Sequence, residues 1–140
     1  MTGADEKVTL PSVDASAGTK KKILFVDDSL TFTALMSSVL TNGGYLVATC
    51  GTSAGVLPLA KSEKPDLIIL DMVLPDGTGI DALKALKEDE ETKAIPAVLL
   101  TGRENANEIA LVELLGGLDH LLKYKTTPKL LLEKTRQWLK

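Results

Sequence analysis

Short apolar runs alternate along the chain with segments of helical periodicity, and this alternation constrains the fold more than any other feature. The five runs are residues 23–26, 46–48, 67–70, 97–100 and 118–122. Each run is too short for a typical helix. The first, third and fourth are apolar without polar alternation, which is typical of strands buried on both faces of a parallel sheet. The second and fifth are less uniformly apolar, as expected for strands at or near a sheet edge.

The segments between the runs predict helices. Apolar residues recur at helical spacing in 32–40, 80–86, 109–115 and 128–139. Thr127 suits the N-cap of the last helix and Pro128 its first turn. Residues 53–62 predict a helix less clearly, because Gly55 and Pro58 lie within them. A strand followed by a helix, repeated five times, predicts a doubly wound α/β fold with a parallel sheet.

The composition fits one small domain. The chain has 140 residues, 44% hydrophobic and 25% charged, with a net charge of −3. That charge argues against a protein whose main task is to grip nucleic-acid phosphates. The single cysteine, Cys50, excludes an intrachain disulfide and fits a reducing compartment. No apolar run approaches the roughly 18–20 residues of a membrane span, and no secretion signal is evident, so we expect a cytoplasmic protein without membrane contact.

The first twenty residues differ in composition from the rest. They are rich in Thr, Ser, Gly, Ala and Asp and show no apolar periodicity. We therefore expect residues 1–20 to be a disordered tail or linker, and residues 21–140 to form the domain.

Polar residues end the predicted strands. Asp27 and Asp28 follow the first strand, Asp71 the third, Thr101 the fourth and Lys123 the fifth. In doubly wound sheets the functional site lies at the carboxyl ends of the strands. Three carboxylates meeting there would repel one another, and a hard cation such as Mg²⁺ would relieve that repulsion. With a lysine and a hydroxyl beside them, the set is typical of a site that handles a phosphoryl group.

The order and spacing of these residues resemble the response-regulator receiver domains of two-component signalling, and in particular the single-domain chemotaxis regulators. The resemblance covers roughly residues 21–140. It depends on the segments 23–29, 65–71, 74–79, 95–102 and 116–123. It implies a flavodoxin-like fold with a five-stranded parallel sheet. It also implies a phosphorelay protein that is phosphorylated by a sensor histidine kinase or a phosphotransfer protein.

The resemblance implies a role for each strand-end residue. Asp71 would be the phosphoacceptor. Mg²⁺ would be held by Asp27, Asp28, Asp71 and the backbone carbonyl of Val73. Lys123 and Thr101 would bind the phosphoryl oxygens, and the movement of Thr101 would begin the switch. A downstream protein or a second copy would bind the face formed by the fourth helix, the fifth strand and the fifth helix.

Three positions depart from the family pattern. Tyr124 follows Lys123 where the family usually has proline, so a trans peptide is expected. His120 occupies the aromatic switch position, where it is either a flat ring that rotates behind Thr101 or an ordinary surface histidine. Val73 cannot orient an attacking water, which favours a slowly decaying phosphoryl state.

Two alternatives to a phosphorylated switch are considered. The first is a degenerate receiver that acts as a phosphorylation-independent protein-interaction module. The second is an enzyme such as an aspartyl phosphatase, which needs an acid two residues after its nucleophile. Val73 occupies that position, so we expect no enzyme. We expect no nucleic-acid binding by this chain, and the sequence leaves open whether the receiver stands alone or is part of a longer protein.

Overall fold

A computed structural model describes residues 20–140, which form a parallel sheet with helices on both faces. The strands are β1 (Lys22–Val26), β2 (Leu46–Cys50), β3 (Leu67–Asp71), β4 (Val73–Leu74), β5 (Gly77–Thr78), β6 (Ala97–Thr101) and β7 (Asp119–Leu122). The helices are α1 (Leu30–Asn42), α2 (Val56–Glu63), α3 (Gly79–Glu88), α4 (Ala106–Leu114) and α5 (Pro128–Trp138). The main sheet has the order β2-β1-β3-β6-β7, and β4 and β5 form a separate antiparallel hairpin.

The core lies in two layers, one on each face of the sheet, because the central strands are buried on both sides. Along β1, Leu24 and Val26 pack in one layer with residues of α2, α3 and α4. The alternating residues Ile23 and Phe25 pack in the other layer with residues of α1 and α5. The uninterrupted apolar runs of β1, β3 and β6 are therefore explained by burial on both faces. The predicted five-stranded doubly wound fold is confirmed, with β2 and β7 at the edges.

Local capping interactions explain where the helices begin. Ser29 caps α1 by accepting a hydrogen bond from the Phe32 amide, and Thr127 caps α5 immediately before Pro128. The predicted but weaker helix between the second and third strands is also present, as α2. Pro58 is its third residue, a position in the first turn where the missing amide hydrogen costs no intrahelical bond.

Two short elements were not predicted from the sequence. The β4–β5 hairpin follows β3, and a 3₁₀ turn (Lys123–Lys125) follows β7. No cis peptide bond occurs in residues 20–140, as expected for the bond between Lys123 and Tyr124. Apart from Lys20, the predicted tail lies outside the described residues, so the division of the chain at that point stays a prediction. Within the described part of the chain, none of the helices has the length and apolar character that crossing a membrane requires.

Candidate functional site

Three carboxylates meet at the carboxyl edge of the sheet. Asp27 and Asp28 follow β1, and Asp71 is the last residue of β3, which pairs with β1 in parallel. Each of the three offers a carboxylate oxygen, and these oxygens lie within 4.8 Å of one another. The parallel register therefore brings together the acidic residues that the sequence placed at the strand ends.

Asp27 is the most enclosed of the three, and its side chain is fully buried. One carboxylate oxygen, Oδ1, accepts a hydrogen bond of 2.8 Å from the amide of Ser29. The other, Oδ2, lies 2.7 Å from Nζ of Lys123, but the approach is too poorly aligned for a hydrogen bond. Asp27 therefore both fixes the turn into α1 and leaves one buried oxygen without a hydrogen-bond partner.

Lys123 lies between two carboxylates. In addition to its contact with Asp27, its Nζ donates a 3.1 Å hydrogen bond to Oδ2 of Asp71. Burial disfavours the ammonium form, but the close contacts with the charged carboxylates of Asp27 and Asp71 outweigh that effect and raise the pKa of Lys123. The lysine is therefore held fully protonated at this edge of the sheet.

For the Asp71 carboxyl, the effects that disfavour the charged form outweigh those that favour it. Burial raises the pKa of Asp71, and the negative charge of Asp27 raises it further. The hydrogen bond and charge of Lys123, together with the Val73 amide, oppose this shift without cancelling it. The raised pKa values of Asp71 and Lys123 are compatible, because one ammonium faces two carboxylates and can neutralise only one of them.

This donor set fits a hard divalent cation. It consists of oxygen atoms from three acids, and Lys123 is the cation in contact with two of them. Asp28 is exposed, so the cluster opens to solvent on that side and has room for retained waters. One ammonium group faces these three acids, so the cluster keeps an excess of negative charge that a divalent cation would neutralise. Asp27, Asp28 and Asp71 are therefore suitable Mg²⁺ ligands, with Val73 nearby at the start of β4.

The Thr101 hydroxyl does not touch the carboxylates in this structure. Thr101 ends β6 and is 3% exposed, and its Oγ1 donates a 2.8 Å hydrogen bond to the backbone carbonyl of Arg103. Together with Val73 and Gly102 it lines an open cavity of about 410 Å³ beside the hairpin. Met72, the residue that follows Asp71, also lines this cavity, so the cavity begins next to the end of β3.

His120 lies in β7 at the edge of the sheet. Its neighbour across the sheet is Leu99, while Leu122, two residues further on, is the partner of Thr101. Because strand side chains alternate between faces, His120 and Thr101 lie on the same face, the one covered by α4. His120 is half-buried and lines an edge cavity of about 230 Å³ that also contacts Glu104 and Lys125.

The comparison with known protein families agrees with this geometry. The sequence model of the family described as "Response regulator receiver domain" matches residues 23–135. The chain belongs to this family. Receiver domains generally bind Mg²⁺ at an acidic pocket, and they interact with histidine kinases or phosphotransfer proteins and with downstream partners.

Individual curated proteins are also similar in sequence to this chain. Protein PilH of Pseudomonas aeruginosa is 32% identical over 102 residues, which are 73% of this chain and 84% of PilH. The DNA-binding response regulator MtrA of Mycobacterium tuberculosis is 30% identical over 121 residues, 86% of this chain. Those residues are 51% of MtrA, so the chain spans about half the length of that relative.

Solved receiver structures confirm the fold. The chemotaxis protein CheY4 of Vibrio cholerae superposes with a TM-score of 0.81 at 28% identity, covering 86% of this chain and 100% of CheY4. The BeF3-activated N-terminal receiver domain of RstA from Klebsiella pneumoniae gives a TM-score of 0.77 at 29% identity. That match covers 86% of this chain and 99% of the RstA domain.

Two further residues shape the receiver site and were not predicted to do so. The ring centroid of Phe32 lies 4.9 Å from Nζ of Lys123, although the helical periodicity predicts Phe32 only as an apolar residue of α1. Asp76, in the hairpin, accepts hydrogen bonds from the amides of Ser53 and Ala54 and so ties the β2–α2 loop to the segment after Asp71. The Asp76-Gly77 pair is a turn signal that could have indicated the hairpin.

Proposed function

We propose that this receiver accepts a phosphoryl group on Asp71 in a Mg²⁺-dependent reaction and that phosphorylation changes its binding to partners. The donor is a sensor histidine kinase or a phosphotransfer protein. The observation that carries the proposal is the position of the Asp71 carboxylate, at the carboxyl end of β3, where Lys123 donates a 3.1 Å hydrogen bond to it. Among the described residues, no other carboxylate of the cluster accepts a hydrogen bond from Lys123.

The transfer exchanges one bond to phosphorus for another. A carboxylate oxygen of Asp71 forms a bond to phosphorus as the bond from phosphorus to the donor's histidine nitrogen breaks. The electron pair of the broken bond stays on that nitrogen. Lys123 remains protonated, because two carboxylates hold it so, and its charge balances the phosphoryl oxygens. Asp27, Asp28, Asp71 and the backbone carbonyl of Val73 would hold Mg²⁺. When bound, the ion would neutralise further negative charge on the phosphoryl oxygens.

The switch begins at Thr101. Its hydroxyl would exchange the hydrogen bond to the Arg103 carbonyl for one to a phosphoryl oxygen. This exchange would draw the β6–α4 loop towards Asp71, since Arg103 lies in that loop. His120 lies on the same face of the sheet and would rotate into the space behind Thr101.

Exposed apolar side chains support a partner surface beyond this loop. On α4 and just before β7, Leu111, Leu114 and Leu118 are 39%, 82% and 49% exposed. A downstream protein or a second copy of the chain would cover them. Because β7 is the fifth strand of the main sheet, this surface belongs to the face of fourth helix, fifth strand and fifth helix expected from the sequence.

In this proposal the chain carries a signal and is not an enzyme. Val73 projects an apolar side chain, 71% exposed, from the second position after Asp71. A hydrolytic enzyme would need an acid or base there to activate water. The phosphorylated state should therefore decay slowly.

Incubation with acetyl phosphate and Mg²⁺ tests the proposal. We expect intact-mass spectrometry to show one added phosphoryl group in the wild type and none in Asp71→Asn. Chelation of Mg²⁺ should abolish the addition, and beryllofluoride should shift amide resonances around Thr101. If the wild type takes up no phosphoryl group and shows no spectroscopic change, the chain is instead a phosphorylation-independent interaction module.

A further inference from the structure

We propose that Phe32 is a positioning residue for Lys123, holding its ammonium group where the phosphoryl oxygens arrive. The inference rests on the proposed function, since it concerns the same transfer to Asp71. The ring centroid of Phe32 lies 4.9 Å from Nζ of Lys123, within the range of a cation–π interaction. The lysine therefore has three contacts: two carboxylates and one aromatic ring.

The ring of Phe32 is itself well anchored. The Phe32 amide donates to Oγ of Ser29, the N-cap of α1, so its backbone is fixed in the first turn of the helix. The ring packs against Phe25 with centroids 6.0 Å apart at a tilt of 40°. Phe25 is fully buried in β1. A rigid core residue thus supports the ring that in turn supports the ammonium.

Lys123 needs such support because its side chain is long and flexible. The residue that follows is Tyr124, which lies in the 3₁₀ turn and is 68% exposed, where the family usually has proline. A lysine side chain has four rotatable carbon–carbon bonds and keeps one position only through its contacts. An open cavity of about 520 Å³, lined by Phe32, Leu35 and Tyr124 among others, leaves room for other conformations of the Lys123 side chain.

The contact with Phe32 is also the one that phosphorylation leaves unchanged. When Asp71 becomes an acyl phosphate, its carboxylate charge is lost and its hydrogen bond to Lys123 must be remade to the phosphoryl group. Asp27 would at the same time interact with Mg²⁺. The ring of Phe32 is uncharged and binds no metal, so it holds the ammonium before and after the transfer.

Substitution of the ring tests the proposal. Phe32→Leu keeps an apolar side chain but removes the π face, and we expect the rate of phosphorylation by acetyl phosphate to fall about 3- to 20-fold at saturating Mg²⁺. Phe32→Tyr keeps the face, and its hydroxyl can reach solvent from this half-exposed position, so its rate should stay within about twofold of the wild type. Leu35→Ala is the matched control, because Leu35 lines the same cavity but lies outside the machinery.

A spectroscopic measurement on the unphosphorylated protein separates positioning from general stability. The ring current of Phe32 should shift the proton resonances of the Lys123 side chain. We expect this shift in the wild type, Phe32→Tyr and Leu35→Ala, and its loss in Phe32→Leu, while thermal unfolding confirms that each variant is folded.

The possible results separate this inference from the proposed function. An equal rate in Phe32→Leu and the wild type overturns the inference alone, as does a Phe32→Tyr variant as slow as Phe32→Leu. Loss of the shift without loss of rate also overturns it. A wild type that takes up no phosphoryl group overturns the proposed function, and the positioning role in transfer with it.

Discussion

The ammonium nitrogen of Lys123 lies 2.7 Å from Oδ2 of Asp27, an oxygen that is buried and has no hydrogen bond. Removing the lysine would leave Asp27 and Asp71 facing each other without a counter-charge. We expect Lys123→Met to lower the free energy of unfolding, measured in urea without Mg²⁺, by about 3 kcal/mol. We expect a value at the lower end of the usual range for breaking a buried ion pair, because the Lys123 side chain is 26% exposed.

The neighbouring lysine supplies the control for this experiment. Lys125 is exposed, and Lys125→Met should change stability little. The double variant Lys123→Met/Asp71→Asn should recover most of the loss, because it removes one of the two opposed charges. A loss in Lys123→Met no greater than in Lys125→Met would show that the buried carboxylates do not depend on the lysine.

The pKa of Asp71 leads to a second prediction. Since burial and Asp27 raise this pKa in the folded protein, the contribution of Asp71 to stability is fully present below its ordinary value of 3.8 and is lost as pH rises through the folded value. At pH 7 without Mg²⁺, Asp71→Asn should therefore be more stable than the wild type, by about 1 kcal/mol.

This difference should decrease as pH falls and vanish once Asp71 is protonated in both the folded and the unfolded states. Urea unfolding between pH 3 and pH 7 measures it. Glu113→Gln, which removes an exposed acid of α4, should show no comparable gain. A destabilised Asp71→Asn at pH 7 would contradict the prediction.

Mg²⁺ should stabilise the folded receiver, because a metal that binds only the folded state adds its binding free energy to folding. At about one hundred times the Kd of Mg²⁺, the gain is about 2.7 kcal/mol. Asp28→Asn should lose most of the gain, yet fold normally, since Asp28 is exposed. Thermal unfolding with and without Mg²⁺ measures this, with Glu133→Gln on α5 as the control. Equal Mg²⁺ effects in Asp28→Asn and Glu133→Gln would contradict it.

The sheet could be predicted because its sequence signal is local and strong. An apolar run such as 67–70 has no polar alternation, and burial on both faces of the sheet is the physical reason. The hairpin after β3 could not be predicted in the same way. Its strands, Val73–Leu74 and Gly77–Thr78, have two residues each, too few for any periodicity to be seen.

The candidate site, too, could be predicted from the sequence only in part. The meeting of Asp27, Asp28 and Asp71 follows from topology, since parallel strands bring their carboxyl ends to one edge. The ring beneath Lys123 does not follow from any motif. Phe32 satisfies the apolar pattern of α1, and its second contact depends on the path of a flexible side chain from a distant turn. Contacts of this kind become visible only in three dimensions.

Gly79 allows α3 to pack directly on the end of β3. A Cβ at this position would lie 2.5 Å from the backbone oxygen of Asp71 and 2.8 Å from Cδ1 of Leu99. We expect Gly79→Ala to lower the free energy of unfolding by about 1–3 kcal/mol and to weaken Mg²⁺ binding, because Asp71 must shift. Gly102→Ala is the control, since its Cβ would meet nothing within 4 Å. Equal Mg²⁺ affinity in the two variants would show that the end of β3 does not move.

Asp76 should stabilise the receiver in a pH-dependent way. The amides of Ala54 and Ser53 donate to its carboxylate at 3.0 and 2.6 Å, and these bonds lower the pKa of Asp76. Its contribution is therefore present above the ordinary value of 3.8 and is lost as pH falls through the lowered folded value.

Asp76→Asn keeps the shape of this side chain but not its charge, so it should be less stable than the wild type at pH 7. The two proteins should converge in strongly acidic solution, where Asp76 is protonated. Urea unfolding across this pH range measures the difference, and hydrogen exchange at Ser53 and Ala54 shows whether their amides are released. A constant difference at all pH values would mean that the loop is held by the shape of the side chain and not by its charge.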